Sequence, residues 1–504
     1  MKEKKIDWVI TLVPFILISG ICLLFIFQPL GANAVLIIIR NWIGHYCGVF
    51  YLLLGLGIFI FSLFLSCSRY GDIVLGKPNE KPRYNFFTWG SMMFTCGLAA
   101  DILFYSFSEW ILYALDDHVQ KLGSVQEWAG VFPLFHWSLI PWAFYLVLAV
   151  AFGFMMHVRK QNRQRFSQAC YPLFAERING WLGSVIDLLA VFALLAGTAT
   201  TFSVATPLLA QALNVLFGFT MNRTAVTLLI LLVTCVVYTY ALLHGIGGIS
   251  ILSKVCVGLF FGLLIYVFLF GGQGVYILET GLMNLGTMLS HFLELATYTD
   301  PLRETGFPQN WTIYYWAYWM VWCVAAPFFI GRISQGRTIR QTIVGGYVFG
   351  VGATISSFLI LGNYGMGMQM KGIVDFLQEY GRQGDIYASI IALVQTLPWP
   401  SFVLGLLILT MIAFYATSFD SIAYIASCYS YKKLEQDRQP DHRIELLWCI
   451  LLILLPIGLV FSKSSMSGIQ SVSIIAALPL GVVIVCIVLS LWKDIRAYTQ
   501  TNKV

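Results

Sequence analysis

Aromatic residues are concentrated in one apolar segment, the run WTIYYWAYWMVW at residues 311–322. Trp316, Trp319 and Trp322 recur every three residues, and each such step turns a helix through about 300°, so the sequence predicts that their rings share one broad face. A tryptophan ring attracts a cation to its face, and several such faces can enclose a quaternary ammonium, which donates no hydrogen bond. An interfacial aromatic belt or ordinary helix packing gives the same pattern, so this segment alone leaves both interpretations open.

A second group of aromatic residues lies in the run FHWSLIPWAFY at residues 135–145. It places Trp137, Trp142 and Tyr145 within about two helical turns, around Pro141. Together with the 311–322 segment, these rings predict an aromatic cage. Taken alone, Trp142 and Tyr145 are more typical of helix packing than of a cage.

One carboxyl, Asp101, lies in the middle of the apolar run at residues 94–110, beside Gly97, Ala99 and Ala100. Small neighbours allow another segment to approach the backbone closely. Charged groups inside a membrane are costly and are usually functional. Asp101 is therefore a candidate for exchanging a proton near neutral pH, and the alternative is a structural carboxyl that bonds a neighbouring helix.

The remaining intramembrane polar groups have less specific patterns. Hydroxyls in the run ATSFDS, principally Thr417 and Ser418, are of the kind that line a sodium site, but such hydroxyls also join helices by hydrogen bonds. Among the other charges, Glu109 lies nearer a helix end, Asp187 and Asp420 are interpreted as structural hydrogen-bonding groups, and Lys254 as a snorkelling side chain.

The composition defines the broad class of the protein. The 504 residues are 59% hydrophobic and 11% charged, with a mean hydropathy of +0.79, which indicates an all-α polytopic membrane protein. No motif for catalysis, a cofactor, a metal site or nucleic-acid binding is recognisable, so an enzyme is not expected. The eleven Cys show no metal-ligand spacing and are interpreted as free thiols.

Apolar runs long enough to cross a bilayer predict twelve transmembrane helices, at about 8–28, 48–66, 86–115, 131–157, 181–212, 224–243, 252–274, 311–331, 341–362, 401–427, 444–462 and 467–492. With both termini on the cytoplasmic side, 22 Lys and Arg lie inside, seven lie outside, and Lys254 lies within the membrane. This bias predicts a multi-pass protein of a bacterial inner membrane.

Two further stretches are too amphipathic or too short to span, and we interpret them as surface or re-entrant helices, at 276–298 and 386–398. Other helices carry interruptions: GTATT at 197–201, GGYVFGVG at 345–352, Pro141 and Pro327. Interrupted helices at membrane depth mark transport sites, so the sequence favours a secondary transporter.

At the level of motifs, the chain resembles the betaine/carnitine/choline transporter family. The matching segments are FHWSLIPWAFY at 135–145, FPQNWTIYYWAYWMVW at 307–322, GRISQGRTIR at 331–340, TSFDS at 417–421 and YTDP at 298–301. The resemblance implies a LeuT-type core of two inverted five-helix repeats and a homotrimer. It implies two peripheral helices in 1–85, the first repeat in 86–275, a surface helix and loop in 276–310, and the second repeat with a short cytoplasmic tail in 311–504.

The resemblance also implies site residues. The family's aromatic box falls on Trp137, Trp142, Tyr145 and Trp319, and Trp322 matches a tryptophan of the inner pathway. Tyr318 stands where members commonly have a tryptophan, and we include it and Trp316 among the predicted substrate-binding residues.

The third helix carries the most informative difference within the family. Its sodium-coupled betaine members have a glycine run there, its carnitine exchangers small uncharged residues, and its proton-coupled choline members a final Asp. The run here is GLAAD, which ends in Asp101. The exchangers' Arg in the seventh helix is absent, because Ser253 aligns with it and Lys254 follows.

Electrostatics favour the same substrate. An ionised Asp101 attracts choline and repels the carboxylate of betaine or carnitine, by roughly 4 kcal/mol at about 4 Å in a medium of dielectric near 20. A protonated Asp101 would weaken this selectivity. We therefore expect proton-coupled choline uptake, with a carnitine-type substrate:product antiporter as the alternative. The short termini argue against a third possibility, a binding-only osmosensor.

Overall fold

The structure is a computed structural model that describes residues 6–95, 99–161, 164–243, 249–432, 440–462 and 464–502. Within these ranges every regular element is a helix, and the only β-type pairings are two isolated bridges, Ile6 with Tyr431 and Val74 with Thr338. The predicted all-α class is confirmed.

Seven helical segments of the described chain are long and apolar enough to cross a membrane. They are Trp8–Phe27, Gly48–Cys67, Val125–Val158, Trp181–Phe217, Ile339–Met370, His442–Phe461 and Met466–Thr501. Two bent pairs raise the number to nine if each pair is one span: Val255–Phe270 with Gly274–Ser290, and Pro308–Trp322 with Ala326–Ile333. The protein is therefore a polytopic membrane protein, as the composition predicts.

The other principal helices are Pro29–Tyr46, Phe86–Thr95, Ala100–Ala114, Arg223–Leu243, Phe376–Gln383, Ile386–Gln395 and Pro400–Tyr429. Pro29–Tyr46 is the one long helix that the apolar runs do not predict. Its polar Asn33, Arg40 and Asn41 interrupt the hydrophobic pattern, although Pro29 suits the first position of a helix.

The predicted span at 131–157 is interrupted after the first two residues of the FHWSLIPWAFY motif. Helix Val131–His136 ends before Trp137, and helix Leu139–Gly153 begins after Ser138. The hydroxyl of Thr354 donates a hydrogen bond of 2.7 Å to the carbonyl of Trp137, which supplies a partner inside the protein at the break. Pro141 lies in the first turn of the second helix, where a missing N–H costs little, so the interruption precedes the proline.

The tryptophan-rich span is also bent, by 55°, between Ile313–Trp322 and Ala326–Ile333. Pro327 is the second residue of the later helix, and its position in the first turn is again compatible with regular hydrogen bonding. The bend therefore falls in the three residues before that helix. The tryptophans of the motif therefore lie before the bend, and the basic RISQGR segment lies after it.

Helix Gly274–Ser290 turns by 111° from helix Val255–Phe270. If the earlier helix crosses the membrane, the later one runs close to the membrane plane. This angle suits the amphipathic surface helix predicted at 276–298, whose location in the bilayer stays a prediction.

The centre of the molecule is formed by helix Leu139–Gly153, in which every residue after Leu139 is buried. Helix Trp181–Phe217 packs against Ala100–Ala114, Ile313–Trp322 and Pro400–Tyr429. The segments that carry the predicted site residues therefore meet in the interior.

Candidate functional site

Trp319 lies at the centre of a cluster of four aromatic rings, which we call the ring cluster: Trp137, Trp142, Tyr145 and Trp319. The Trp319 ring centroid lies 4.8 Å from that of Tyr145, 5.7 Å from that of Trp137 and 5.8 Å from that of Trp142. All four side chains are buried. The structure thus brings together rings from two segments that are separated by more than 170 positions in the chain.

The ring cluster depends on close approach by the glycine-rich segment at 345–352. Gly350 lies directly against the Trp142 indole, so a Cβ at this position would overlap the ring. The indole N–H groups of Trp142 and Trp319 have no hydrogen-bond partner in the described part of the chain. Buried donors without a partner are rare, so these two N–H groups are available to an acceptor inside the cluster.

Asp101 lies beside the ring cluster and is only 2% exposed. It is the second residue of helix Ala100–Ala114, and its carboxyl accepts a hydrogen bond from the hydroxyl of Tyr318. The Tyr318 hydroxyl also bonds the hydroxyl of Thr201, at the end of the GTATT run. The Tyr318 ring centroid is 6.5 Å from that of Trp137, so one side chain connects the carboxyl to the cluster.

Glu109 is a site residue that the sequence interpretation missed. Its carboxyl accepts a hydrogen bond of 2.9 Å from the indole N–H of Trp137 and another from the hydroxyl of Tyr315. Its second oxygen is buried without a hydrogen-bond partner among the described residues. A usable signal was present, because Glu109 is an intramembrane carboxyl about 12 Å along the helix from Asp101.

His136, next to Trp137 in the chain, is another buried polar residue that the sequence did not single out. Its Nδ1 and the Tyr113 hydroxyl are 2.7 Å apart, and its ring stacks on that of Tyr315 at 4.8 Å. Polar and aromatic contacts therefore hold the residue that precedes the helix break at Trp137.

Trp316 and Trp322 lie apart from the ring cluster. The Trp316 indole packs on Gly55 and contacts Phe135, with ring centroids 5.4 Å apart. Trp322 is half-buried beside Gly197. Each three-residue step falls about 60° short of a full turn, so rings six residues apart diverge by about 120° and meet different neighbours.

The predicted sodium site is described only in part. Ser418 is half-buried on helix Pro400–Tyr429, whereas the side chain of Thr417 lies outside the described residues, as does that of Asp420. Asp187 accepts hydrogen bonds from Arg165 at 3.1 Å and from the Ser167 hydroxyl at 2.9 Å, which agrees with its interpretation as a structural group.

A family model described as "BCCT, betaine/carnitine/choline family transporter" matches residues 9–500, nearly the whole chain. The chain belongs to this family. The resemblance inferred from the motifs is confirmed, and the members of the family are transporters and not enzymes.

Relatives that are named for different substrates have similar sequence identity to this chain. The osmo-dependent choline transporter BetT2 of Acinetobacter baylyi is 29% identical, with 92% of this chain and 68% of the relative covered. The glycine betaine transporter OpuD of Bacillus subtilis is 30% identical, with coverage of 88% and 86%. The carnitine transporter of Acinetobacter baumannii is 27% identical, with coverage of 84% and 77%. Identity alone therefore does not select the substrate.

Proposed function

We propose that the protein is a secondary active transporter that takes up choline, or a closely related trimethylammonium compound, together with protons. The substrate binds in the ring cluster, and alternating access exposes the cluster to one side of the membrane at a time. Asp101 is the coupling group. The relatives, which are choline, betaine and carnitine transporters, support the broader assignment to quaternary ammonium transport.

The observation that carries the proposal is the position of Asp101. Its carboxyl is buried and is joined through Tyr318 to the rings around Trp319. The aromatic faces attract a quaternary ammonium irrespective of protonation, whereas the carboxyl attracts it only when ionised. Protonation of Asp101 removes this negative charge, so the protonation state of Asp101 and the binding of the substrate influence each other, which is the requirement for coupling.

Choline suits this arrangement better than betaine or carnitine. Choline carries a cation and a hydroxyl, and the unpartnered indole N–H groups of Trp142 and Trp319 offer donors for that oxygen. Betaine and carnitine carry a carboxylate as well, which an ionised Asp101 repels by roughly 4 kcal/mol at about 4 Å.

A substrate:product antiporter for carnitine-type compounds is the second candidate. The same two indole donors could bind a substrate carboxylate if Asp101 is neutral, and one relative is a carnitine transporter. Such a carrier would need neither a proton nor a sodium gradient. A sodium ion at Thr417 and Ser418 is a further possibility for coupling, which the gradient experiment below separates from the others.

We further propose twelve transmembrane helices in a LeuT-type core. The nine segments counted above leave three predicted spans, at 86–115, 224–243 and 401–427, and each contains a helix: Ala100–Ala114, Arg223–Leu243 and Pro400–Tyr429. The first helices of both proposed repeats are interrupted, before Ala100 and before Ala326. The proposed repeats span 86–275 and 311–504. We also propose that the protein is a homotrimer of the bacterial inner membrane and that both of its termini are cytoplasmic.

The test is uptake of labelled choline, betaine and carnitine into proteoliposomes. Three conditions are compared: an imposed proton gradient, an imposed sodium gradient, and unlabelled substrate inside without either gradient. We expect choline to accumulate with the proton gradient. Uptake that requires only internal substrate, and that persists with an ionophore, would establish exchange and refute coupling.

A further inference from the structure

A cleft lined by two arginines, which shares no residue with the ring cluster, lies at the end of the molecule predicted to be outer. Its volume is about 220 Å³, and Arg40, His45, Arg303, Gln309 and Asn310 contribute to its walls. We propose that this cleft binds the phosphate of an anionic membrane lipid. We call it the arginine cleft.

The two arginines have no carboxylate partner in the described part of the chain. Arg40 is 6% exposed, and among the described residues its guanidinium bonds only carbonyl-type oxygens, those of Asn310 and Ser467, at 3.3–3.4 Å. These distances are long for hydrogen bonds, which are typically about 2.9–3.0 Å. A buried guanidinium so weakly bonded retains most of its attraction for an anion.

Arg303 faces the same cleft and is also without a carboxylate partner. Its guanidinium donates to the backbone carbonyls of Thr299, Asp300 and His45, and its Nε has no described partner. The nearby Asp300 carboxylate is occupied by hydrogen bonds from the backbone amides of residues 304–306.

A third cation on the side predicted to be outer, Arg223, differs from Arg40 and Arg303. Arg223 is 2.6 Å from the carboxylate of Asp385, so its charge is compensated within the protein. The arginine cleft is therefore distinguished from an ordinary basic surface by two arginines that line it without a carboxylate partner among the described residues.

The surroundings indicate a lipid as the source of the phosphate. Arg40 belongs to helix Pro29–Tyr46, whose opposite face exposes Ile38, Trp42 and Tyr46, by 66%, 56% and 69%. Exposed tryptophan and tyrosine are characteristic of the level of lipid headgroups. Guanidinium groups bind phosphate oxygens through paired N–H bonds, which suits two arginines at the level of lipid headgroups to a lipid phosphate.

The experiment measures thermal unfolding of the purified full-length protein in detergent during titration with phosphatidylglycerol. Phosphatidylcholine and inorganic phosphate are titrated in parallel. We expect phosphatidylglycerol alone to raise the unfolding temperature in a saturable manner, because a ligand that binds only the native state stabilises it.

The variants assign this effect to the cleft. Arg303→Gln should weaken the apparent affinity for phosphatidylglycerol about fivefold, as expected for one cation at a membrane surface. Arg40→Lys, which keeps the charge but loses the paired geometry, should weaken it to a lesser extent. The control Arg223→Gln should leave it unchanged.

Three results would overturn the proposal. Equal affinity for phosphatidylglycerol in the wild type and Arg303→Gln would place any lipid elsewhere. The same stabilisation by phosphatidylcholine would exclude recognition of an anionic headgroup. The same stabilisation by inorganic phosphate would identify a small-anion site in place of a lipid site. Because Arg303 is only half-buried, its variant remains informative if substitution of Arg40 prevents folding.

Discussion

The hydroxyl of Tyr318 donates a hydrogen bond to the carboxyl of Asp101, although the two residues are 217 positions apart in the chain. Tyr318 precedes Trp319, the central member of the ring cluster. Tyr318 bonds the proposed coupling group, Asp101, and the next residue, Trp319, belongs to the proposed substrate site. The two sites are therefore adjacent. This relationship makes the mechanism testable by substitutions that separate charge, ring and hydrogen bond.

The first prediction concerns the central ring. Trp319→Ala should weaken choline binding by about 1–2 kcal/mol, because the central ring face of the cluster is lost, whereas Trp319→Phe should keep part of the affinity. Binding is measured by isothermal titration calorimetry on the purified protein. If both variants bind choline as tightly as the wild type, Trp319 does not contact the cation.

The second prediction uses the glycine that makes room for Trp142. Gly350→Ala should displace this ring and weaken choline binding by about 1–3 kcal/mol, the usual cost of overpacking. Gly352→Ala is the matched control, since a Cβ there has no atom within 4 Å, and it should bind normally. Equal affinities for the two alanine variants would show that the position of Trp142 is unimportant for binding.

The third prediction concerns Glu109 as a positioning residue. Glu109→Leu leaves the N–H of Trp137 and the hydroxyl of Tyr315 without an acceptor, at a cost of about 1–3 kcal/mol each. We expect this variant to unfold at a lower temperature and to bind choline more weakly.

The isosteric variant distinguishes hydrogen bonding from charge. Glu109→Gln keeps an oxygen that can accept both bonds, so it should retain most of the affinity and thermal stability. If Glu109→Gln is as impaired as Glu109→Leu, the charge of Glu109 is essential and a positioning role is insufficient.

Much of the fold follows from the sequence, because long apolar runs must form helices in a membrane. The two aromatic motifs also contain all four rings of the ring cluster, and the family resemblance singles these four out from the other aromatic residues. The sequence does not predict how each helix is rotated about its own axis. This rotation separates Trp316 and Trp322 from the cluster, although all three tryptophans follow the same spacing.

Long-range hydrogen bonds account for what the sequence does not reveal. The carbonyl at the break, that of Trp137, accepts a hydrogen bond from the hydroxyl of Thr354, more than two hundred residues later, and the break precedes the local proline. In the sequence Glu109 lies nearer a helix end, and only the packing of the helices brings Trp137 and Tyr315 to it. Its role depends on contacts that no local pattern encodes.

The most direct test of the central claim is proton-driven accumulation of labelled choline in proteoliposomes, with wild type and Asp101→Asn compared. Asparagine keeps the size and an acceptor oxygen for Tyr318 but cannot exchange a proton. We predict that an imposed proton gradient concentrates choline in wild-type vesicles and not in Asp101→Asn vesicles, while counterflow with internal choline persists in the variant. Equal gradient-driven accumulation by the two proteins, or wild-type uptake that is unchanged from pH 5 to 8, would contradict a coupling role for Asp101.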